Sequence, residues 1–270
     1  MPQLTTGSGV SLHYETAGSG PPLVFLHGWL MSGKVWHYQQ QLADRFRTTT
    51  VDLRGHGHSS AGDDYSLDAL AGDLAELFTC LGLDGAVLIG WSLGAQLALH
   101  AATLLEKSLK ALVLIGGTPC FCAKPDYPHG LPPAEARGMG LRLKRNMTVT
   151  AGAFFKGMFA PGEVTPPQFR EIAADTVEKL PDLNSALAVL GTLANADLRP
   201  VLSRITMPVL LIHGVADTIC LPGASRYMSE RLPHAEMHLL DGLGHAPFLS
   251  RPEQFNTILQ QFLDGVYVHN

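Results

Sequence analysis

A serine between two glycines, Gly90-Trp91-Ser92-Leu93-Gly94, follows the apolar run 86–89 and precedes a helical pattern carrying Leu93, Leu97 and Leu104. Strand, sharp turn and helix in that order raise a hydroxyl above the end of a sheet, near a helix dipole, where it can serve as a nucleophile in acyl transfer. Glycines flank it because so tight a turn brings neighbouring backbone too close for side chains. A hydroxyl needs a base, and the base needs a carboxylate to orient it. His245 lies in the glycine-rich loop Asp241-Gly242-Leu243-Gly244-His245-Ala246-Pro247-Phe248, and Asp217 ends His213-Gly214-Val215-Ala216-Asp217, just past the apolar run 209–212. Ser92, Asp217 and His245 thus stand in the chain order nucleophile, acid, base. Asp241 is the rival acid, but it reads as a turn residue. Two backbone amides are candidate oxyanion donors: Leu93, directly after the serine, and Trp29, which follows His27-Gly28 beyond the run 23–26. The Trp29 indole is also placed to wall an acyl pocket.

The other histidines carry less. His56 and His58, in Asp52-Leu53-Arg54-Gly55-His56-Gly57-His58-Ser59, suggest a metal pair, yet no cysteine or carboxylate cluster joins them at a ligand spacing, so loop ordering is expected and no metal. His213 is expected to pack or hydrogen-bond at its strand end, and His13, His37, His234 and His269 to lie on the surface. Neither a GxxxxGK[ST] nor a GxGxxG loop occurs, and Gly90 to Gly94 has the wrong spacing for either, so no cofactor is expected. The four cysteines, Cys80, Cys120, Cys122 and Cys220, form no CxxC pair and are expected to be reduced thiols.

Holding these residues at one edge calls for a parallel sheet. The runs 23–26, 86–89, 111–115 and 209–212 are continuously apolar, as strands buried on both faces are. Helical patterns separate them, among them Leu67, Leu70, Leu74 and Leu77 after a Ser66 cap. Val10-Ser11-Leu12-His13-Tyr14 alternates like an edge hairpin strand, 237–240 suggests a last strand and 252–262 a closing helix. Between Thr118 and about Leu198 no buried strand is legible, and the pieces 134–147, 153–159, 167–180 and 183–194 have helical spacing. The expected organisation is an α/β core of residues 1–117 and 198–270, with a helical cap insertion at 118–197. Phe154, Phe155, Met158 and Phe159 either cap a pocket or form the insertion's own core.

Length and composition limit the rest. A chain of 270 residues with 46% hydrophobic and 16% charged residues has the makings of a globular core and not of a disordered segment. Its net charge of −5 disfavours nucleic-acid phosphates. Apolar stretches fall well short of the roughly 18 residues of a membrane span. The opening Met1-Pro2-Gln3-Leu4-Thr5-Thr6 has neither the basic start nor the apolar core of a signal peptide, so a cytoplasmic location is expected.

Six motifs in order carry a family resemblance: His27-Gly28-Trp29 with a later Trp36, Gly90-Trp91-Ser92-Leu93-Gly94, Thr118-Pro119-Cys120-Phe121, Asp126-Tyr127-Pro128, Asp197-Leu198-Arg199 and His245-Ala246-Pro247-Phe248. Over nearly the whole chain they resemble the α/β-hydrolase family, and within it the methyl ester esterases of biotin synthesis. The resemblance implies a mostly parallel central sheet flanked by helices, with a helical cap. It implies a carboxylesterase that removes a methyl group from a pimeloyl chain carried by acyl-carrier protein, with Ser92, Asp217 and His245 as the triad. It also implies that Phe154-Phe155-Lys156-Gly157-Met158 lines the acyl channel. Two features depart from the group: Pro222 comes one residue later after the acid than is usual, and Val149-Thr150-Ala151-Gly152-Ala153 is uncharged where carrier-docking members have arginines. Arg137, Arg142, Lys144, Arg145 and Lys156, with no acidic residue between Ala136 and Gly162, form either a substitute docking face for an acidic carrier or a solvated helix face. The same residues are compatible with a general small-ester carboxylesterase, with a cofactor-free lyase or carbon–carbon bond hydrolase, and with a small-molecule receptor.

Overall fold

The computed structural model describes residues 2–177 and 179–268. The apolar runs in it become strands: β1 (Gln3–Thr5), β2 (Ser11–Ala17), β3 (Pro22–Leu26), β4 (Arg47–Val51), α1 (Leu67–Leu81), β5 (Ala86–Trp91), α2 (Leu93–Leu104) and β6 (Leu109–Ile115) follow in chain order, with a 3₁₀ segment at Gly33–Asp44. Four helices come next, α3 (Pro133–Arg145), α4 (Met147–Gly157), α5 (Pro166–Thr176) and α6 (Leu183–Asn195). After them the chain returns through β7 (Val209–Gly214), α7 (Gly223–Ser229), β8 (Ala235–Leu240), α8 (Pro247–Ser250) and α9 (Pro252–Val268). The strands form one sheet in the order β1-β2-β4-β3-β5-β6-β7-β8, parallel from β4 to β8 and antiparallel at β1 and β2. This is an α/β fold. Every residue of β3, β5 and β7 is buried, as strands covered by helices on both faces must be.

Three elements differ from the sequence reading. The strand expected at the edge, β2, lies second in the sheet, between β1 and β4, and its His13 is buried. β4 has no apolar run; its Thr48, Thr49 and Thr50 are β-branched, and Thr49 is fully buried between the two neighbouring strands. Helix α4 begins six residues before the expected start because the Asn146 side chain accepts the Val149 N–H at 3.0 Å and caps it there. The four cysteines are free thiols.

The chain leaves the sheet after β6 and returns to it before β7 through neighbouring segments. Leu198 N–H donates to Pro119 O at 2.7 Å. Arg199 spans Asp126 and Asp197 at 2.9 and 2.7 Å, and Lys124 meets Asp197 at 2.7 Å. The Asp197 carboxyl is held below the usual carboxylate range by the Arg199 guanidinium, against the opposing effect of its burial. Tyr127 packs under Arg199 and shares a hydrogen bond with Thr118 at 3.0 Å. The residues of three resemblance motifs therefore meet in one knot at the foot of α3–α6.

Candidate active site

The turn from β5 into α2 sets Ser92 at φ +57°. That left-handed conformation costs a residue other than glycine on the order of 1–3 kcal/mol and persists only where the surroundings enforce it. Here they do. A Cβ on Gly90 would lie 2.2 Å from the Gly94 carbonyl oxygen, and one on Gly94 would lie 2.3 Å from the Leu26 carbonyl oxygen, so only glycine fits on either side. Ser92 N–H donates to Ile115 O at 2.9 Å, and its hydroxyl makes no cap to its own helix. Leu93 is the first residue of α2, so its N–H has no acceptor within the helix.

Trp29, beyond β3, is fixed through its ring: Nε1 donates to Ala186 O of α6 at 2.8 Å, and the indole meets Phe154 of α4 edge-on at 5.1 Å. His27 braces the same loop, its Nδ1–H donating to Gly28 O at 2.8 Å while Nε2 accepts the Leu53 N–H at 3.0 Å. Burial pushes the His27 ring below its ordinary value, and the neutral ring is the form that satisfies both bonds.

The loops after β7 and β8 bring the acid and the imidazole together. His245 Nδ1–H donates to Asp217 Oδ2 at 2.7 Å, which leaves the lone pair on Nε2. That Nε2 is buried and has no hydrogen-bond partner among the described residues. Asp217 Oδ1 accepts the amides of Ile219 and Cys220 at 2.8 and 3.0 Å, and Oδ2 lies 3.1 Å from His213 Nε2. Burial alone would push the Asp217 carboxyl up, but His245 and His213 outweigh it and hold the group below the usual carboxylate range. Asp217 is therefore ionised behind the imidazole. The Ser92 hydroxyl meets the Cys220 thiol in the acid's own loop, while Trp91 donates Nε1–H to His245 O at 2.9 Å. Ser92, Asp217 and His245 are each buried, beyond the carboxyl ends of β5, β7 and β8, and a Cβ on Gly116, next to the residue whose carbonyl accepts the Ser92 N–H, would lie 3.0 Å from His245 Nδ1. A strained serine, a lone-pair nitrogen backed by a carboxylate, and two candidate amides are the parts that acyl transfer requires.

Residues 23–258 match the model of the Alpha/beta hydrolase family. The chain belongs to this family. The pimeloyl-[acyl-carrier protein] methyl ester esterase of Nitrosomonas europaea is 38% identical over 248 residues, which cover 91% of this chain and 96% of the relative. The protein of the same name from Aeromonas salmonicida is 34% identical over 258 residues, covering 94% and 100%. Among solved structures, an esterase from Exiguobacterium antarcticum superposes with a TM-score of 0.90 at 26% identity, covering 97% of this chain and 98% of the other.

The other residues singled out in this α/β hydrolase fall in several places. Asp241 is an exposed turn residue, and the carboxylate bonded to His245 is that of Asp217. In the segment 154–158, Phe154 touches Trp29, and Met158 is buried with its carbonyl on the His245 amide at 2.6 Å. Phe155 packs instead on Phe159 and Phe169 inside the helical insertion. Lys156 and Gly157 are exposed, and Lys156 lines a groove with Phe159 and Arg170. One turn of helix cannot turn all five side chains to one face.

Arg137, Arg142, Lys144, Arg145 and Lys156 are all exposed. Arg137 and Lys144 rim a groove of about 810 Å³ between α3 and α6, whose floor includes Ala136, Leu187 and Leu190. Leu141 stands 68% exposed on the same helix face.

The secondary histidines are redistributed. His56 packs on His27 and His58 on His13, so the two do not form a pair. His13 is buried and bonded to Asp52 at 2.8 Å, and His37 is half-buried, which corrects the surface reading of both. His234 is exposed, and His269 lies outside the described residues. His213 was legible as a hydrogen-bonding residue but not as a partner of Asp217. Its Nδ1 accepts from Ser225 Oγ at 2.7 Å, which turns Nε2–H toward the acid's loop. A histidine four residues before the acid, at the end of the same strand, is the signal that points to it.

Burial pushes His56 from its ordinary 6.5 down to about 3. The unfolded chain therefore takes up a proton at His56 below pH 6.5 that the folded protein refuses, so this contribution to stability is complete above pH 6.5 and is lost as the pH falls toward 3. From pH 6.5 to 5 the expected loss is about 2 kcal/mol. Urea unfolding across that range should show a shallower pH dependence for His56→Leu than for the unchanged protein, and parallel curves would remove the assignment.

Proposed function

We propose that this chain is a serine carboxylesterase that hydrolyses the methyl ester of a pimeloyl chain carried by acyl-carrier protein, in the cytoplasm, as a step in biotin synthesis. The observation that carries the reading is the Asp217–His245 pair, bonded at 2.7 Å, together with the strained Ser92 between β5 and α2. The names of relatives at 38% and 34% identity supply the substrate. In this mechanism His245 Nε2 takes the Ser92 proton as Oγ attacks the ester carbonyl, and the Trp29 and Leu93 amides hold the oxyanion. Collapse of the tetrahedral intermediate expels methoxide, which leaves as methanol with the proton from His245. Water, deprotonated by the same nitrogen, then cleaves the acyl-enzyme and frees Ser92. Residues 1–117 and 198–270 serve as the catalytic core and 118–197 as the cap, with Phe154 and Met158 against the acyl chain.

The carrier would dock on the basic face of α3. Arg137 and Lys144 at the groove rim, with Arg142 and Arg145 beside them and Lys156 on α4, suit an acidic partner, and Leu141 adds an apolar contact. Changing Arg142, Lys144 and Arg145 together to Ala should raise KM for the carrier-bound methyl ester with kcat nearly unchanged, and high salt should act in the same way. Methanol release from carrier-bound and free methyl esters, with Ser92→Ala as the blank, measures it. The uncharged stretch 149–153 favours a general small-ester carboxylesterase instead, and equal activity of the triple variant on both esters at low and high salt would decide for that.

A further inference from the structure

Between α4 and α5 lies Glu163, a carboxylate only 4% exposed. Its Oε2 accepts two amides, from Ala160 at 2.6 Å and from Gly244 at 2.8 Å, and its Oε1 accepts the Ser250 hydroxyl. Gly244 immediately precedes His245, and Ser250 ends the short helix that follows it. A second contact runs in parallel, from the His245 N–H to Met158 O at 2.6 Å. Contact is close enough that a Cβ on Gly244 would lie 2.4 Å from the Met158 carbonyl oxygen and 2.9 Å from the Ala160 nitrogen. The loop bearing the imidazole is thus gripped from the helical insertion on its amide side. Trp91 holds its carbonyl, and Ala216 N–H bonds to Leu243 O at 2.9 Å.

We infer that Glu163 is a positioning residue for His245, through which the segment 158–163 sets the place of the base. The inference rests on the triad reading above. A base must be held to about 0.5 Å, and a displacement of about 1 Å costs on the order of 100-fold in rate. Gly244 has no side chain with which to hold itself, so the Glu163 carboxylate supplies a contact that the loop cannot make alone. The role depends on reach more than on charge. Gln has the same length; its carbonyl oxygen can accept both amides, and its NH₂ can donate to Ser250 Oγ. Asp keeps the charge but is one methylene short of Gly244.

Glu163→Asp should therefore lower kcat for a p-nitrophenyl ester by about 10- to 100-fold with KM unchanged, whereas Glu163→Gln should stay close to the unchanged protein. The proton NMR signal of the Asp217–His245 bond should shift or broaden in the Asp variant and not in the Gln variant, a readout that does not depend on turnover. Unaltered kcat and proton signal in Glu163→Asp, or a loss in Gln as large as in Asp, would overturn the inference. Should Glu163→Asp fail to fold, Ser250→Ala removes the Oε1 donor alone and is expected to give a smaller loss of the same kind; no change in kcat or in the signal would again refute the clamp. His245→Ala in the same assay separates the two readings. If that variant kept turnover, the base assignment would fall, while the proton signal would still report on the clamp.

Discussion

Ser92→Ala should lower kcat by up to about 10⁶-fold while leaving the protein folded. The size follows from the division of labour in the pocket. Asp217 and His245 gain their purpose only when Nε2 has a proton to take, and without the hydroxyl the pocket retains only binding and the Trp29 and Leu93 amides. For the same reason Ser92→Ala combined with His245→Ala should be little worse than either alone, since members of such a unit do not contribute additively. The fold is insulated because Ser92 contributes no helix cap, and its backbone strain is imposed by Gly90, Gly94 and the β6 carbonyl that accepts its N–H. Alanine at φ +57° is strained about as much as serine. Steady-state turnover of a methyl ester, with a thermal melt to verify folding, measures both halves. Near-normal turnover in Ser92→Ala would remove the nucleophile whatever its motif suggests.

The sequence makes some of this site legible and hides the rest for physical reasons. Ser92 stands out because its strained turn admits only glycine two residues to either side, at Gly90 and Gly94, and that requirement is written into five consecutive residues. Asp217 and His245 stand out because β7 opens on the apolar run 209–212 and the loop after β8 is rich in glycine, so the ends of both are visible. β4 is hidden because its side chains are threonines, which pack well on a pleated surface without any apolar signal. His13 is misread for a related reason. Alternation along β2 suggests one wet face, but the Asp52 amide bonds to the His13 carbonyl and the Asp52 carboxylate to its ring, so the polar face is covered by a polar partner. The segment 154–158 is harder to read, because five helical residues cannot face one way and Lys156 and Gly157 come out exposed while Phe155 and Met158 are buried. Glu163 is the least legible of all. It occupies a connection between two helices, and its value lies in reaching a glycine amide 81 residues away, a pairing that no local pattern encodes.

Asp217→Asn should cost roughly 10⁴-fold in turnover. The Asp217 Oδ2 accepts the His245 Nδ1–H at 2.7 Å and lies 3.1 Å from His213 Nε2, whose N–H donates to Cys220 O at 2.7 Å. The other oxygen already receives the amides of Ile219 and Cys220. Asparagine keeps the shape and has one acceptor oxygen where these three donors, Ile219 N–H, Cys220 N–H and His245 Nδ1–H, meet two. If its carbonyl stays on the loop amides, its NH₂ faces His245 and drives the ring to the tautomer with the proton on Nε2, which can no longer take a proton from Ser92. If it turns the other way, the loop amides lose their acceptor and the acid's loop loosens. Either arrangement disables the base. Asp241 makes no such contacts from its exposed turn, so Asp241→Asn should lie close to the unchanged protein. His213 gives an intermediate test, since His213→Asn removes the ring that ties Cys220 O in the acid's loop without touching the tautomer of His245, and its loss should be far smaller than that of Asp217→Asn. Measured kcat values that placed Asp241→Asn below Asp217→Asn would make Asp241 the acid and undo the proposed pairing.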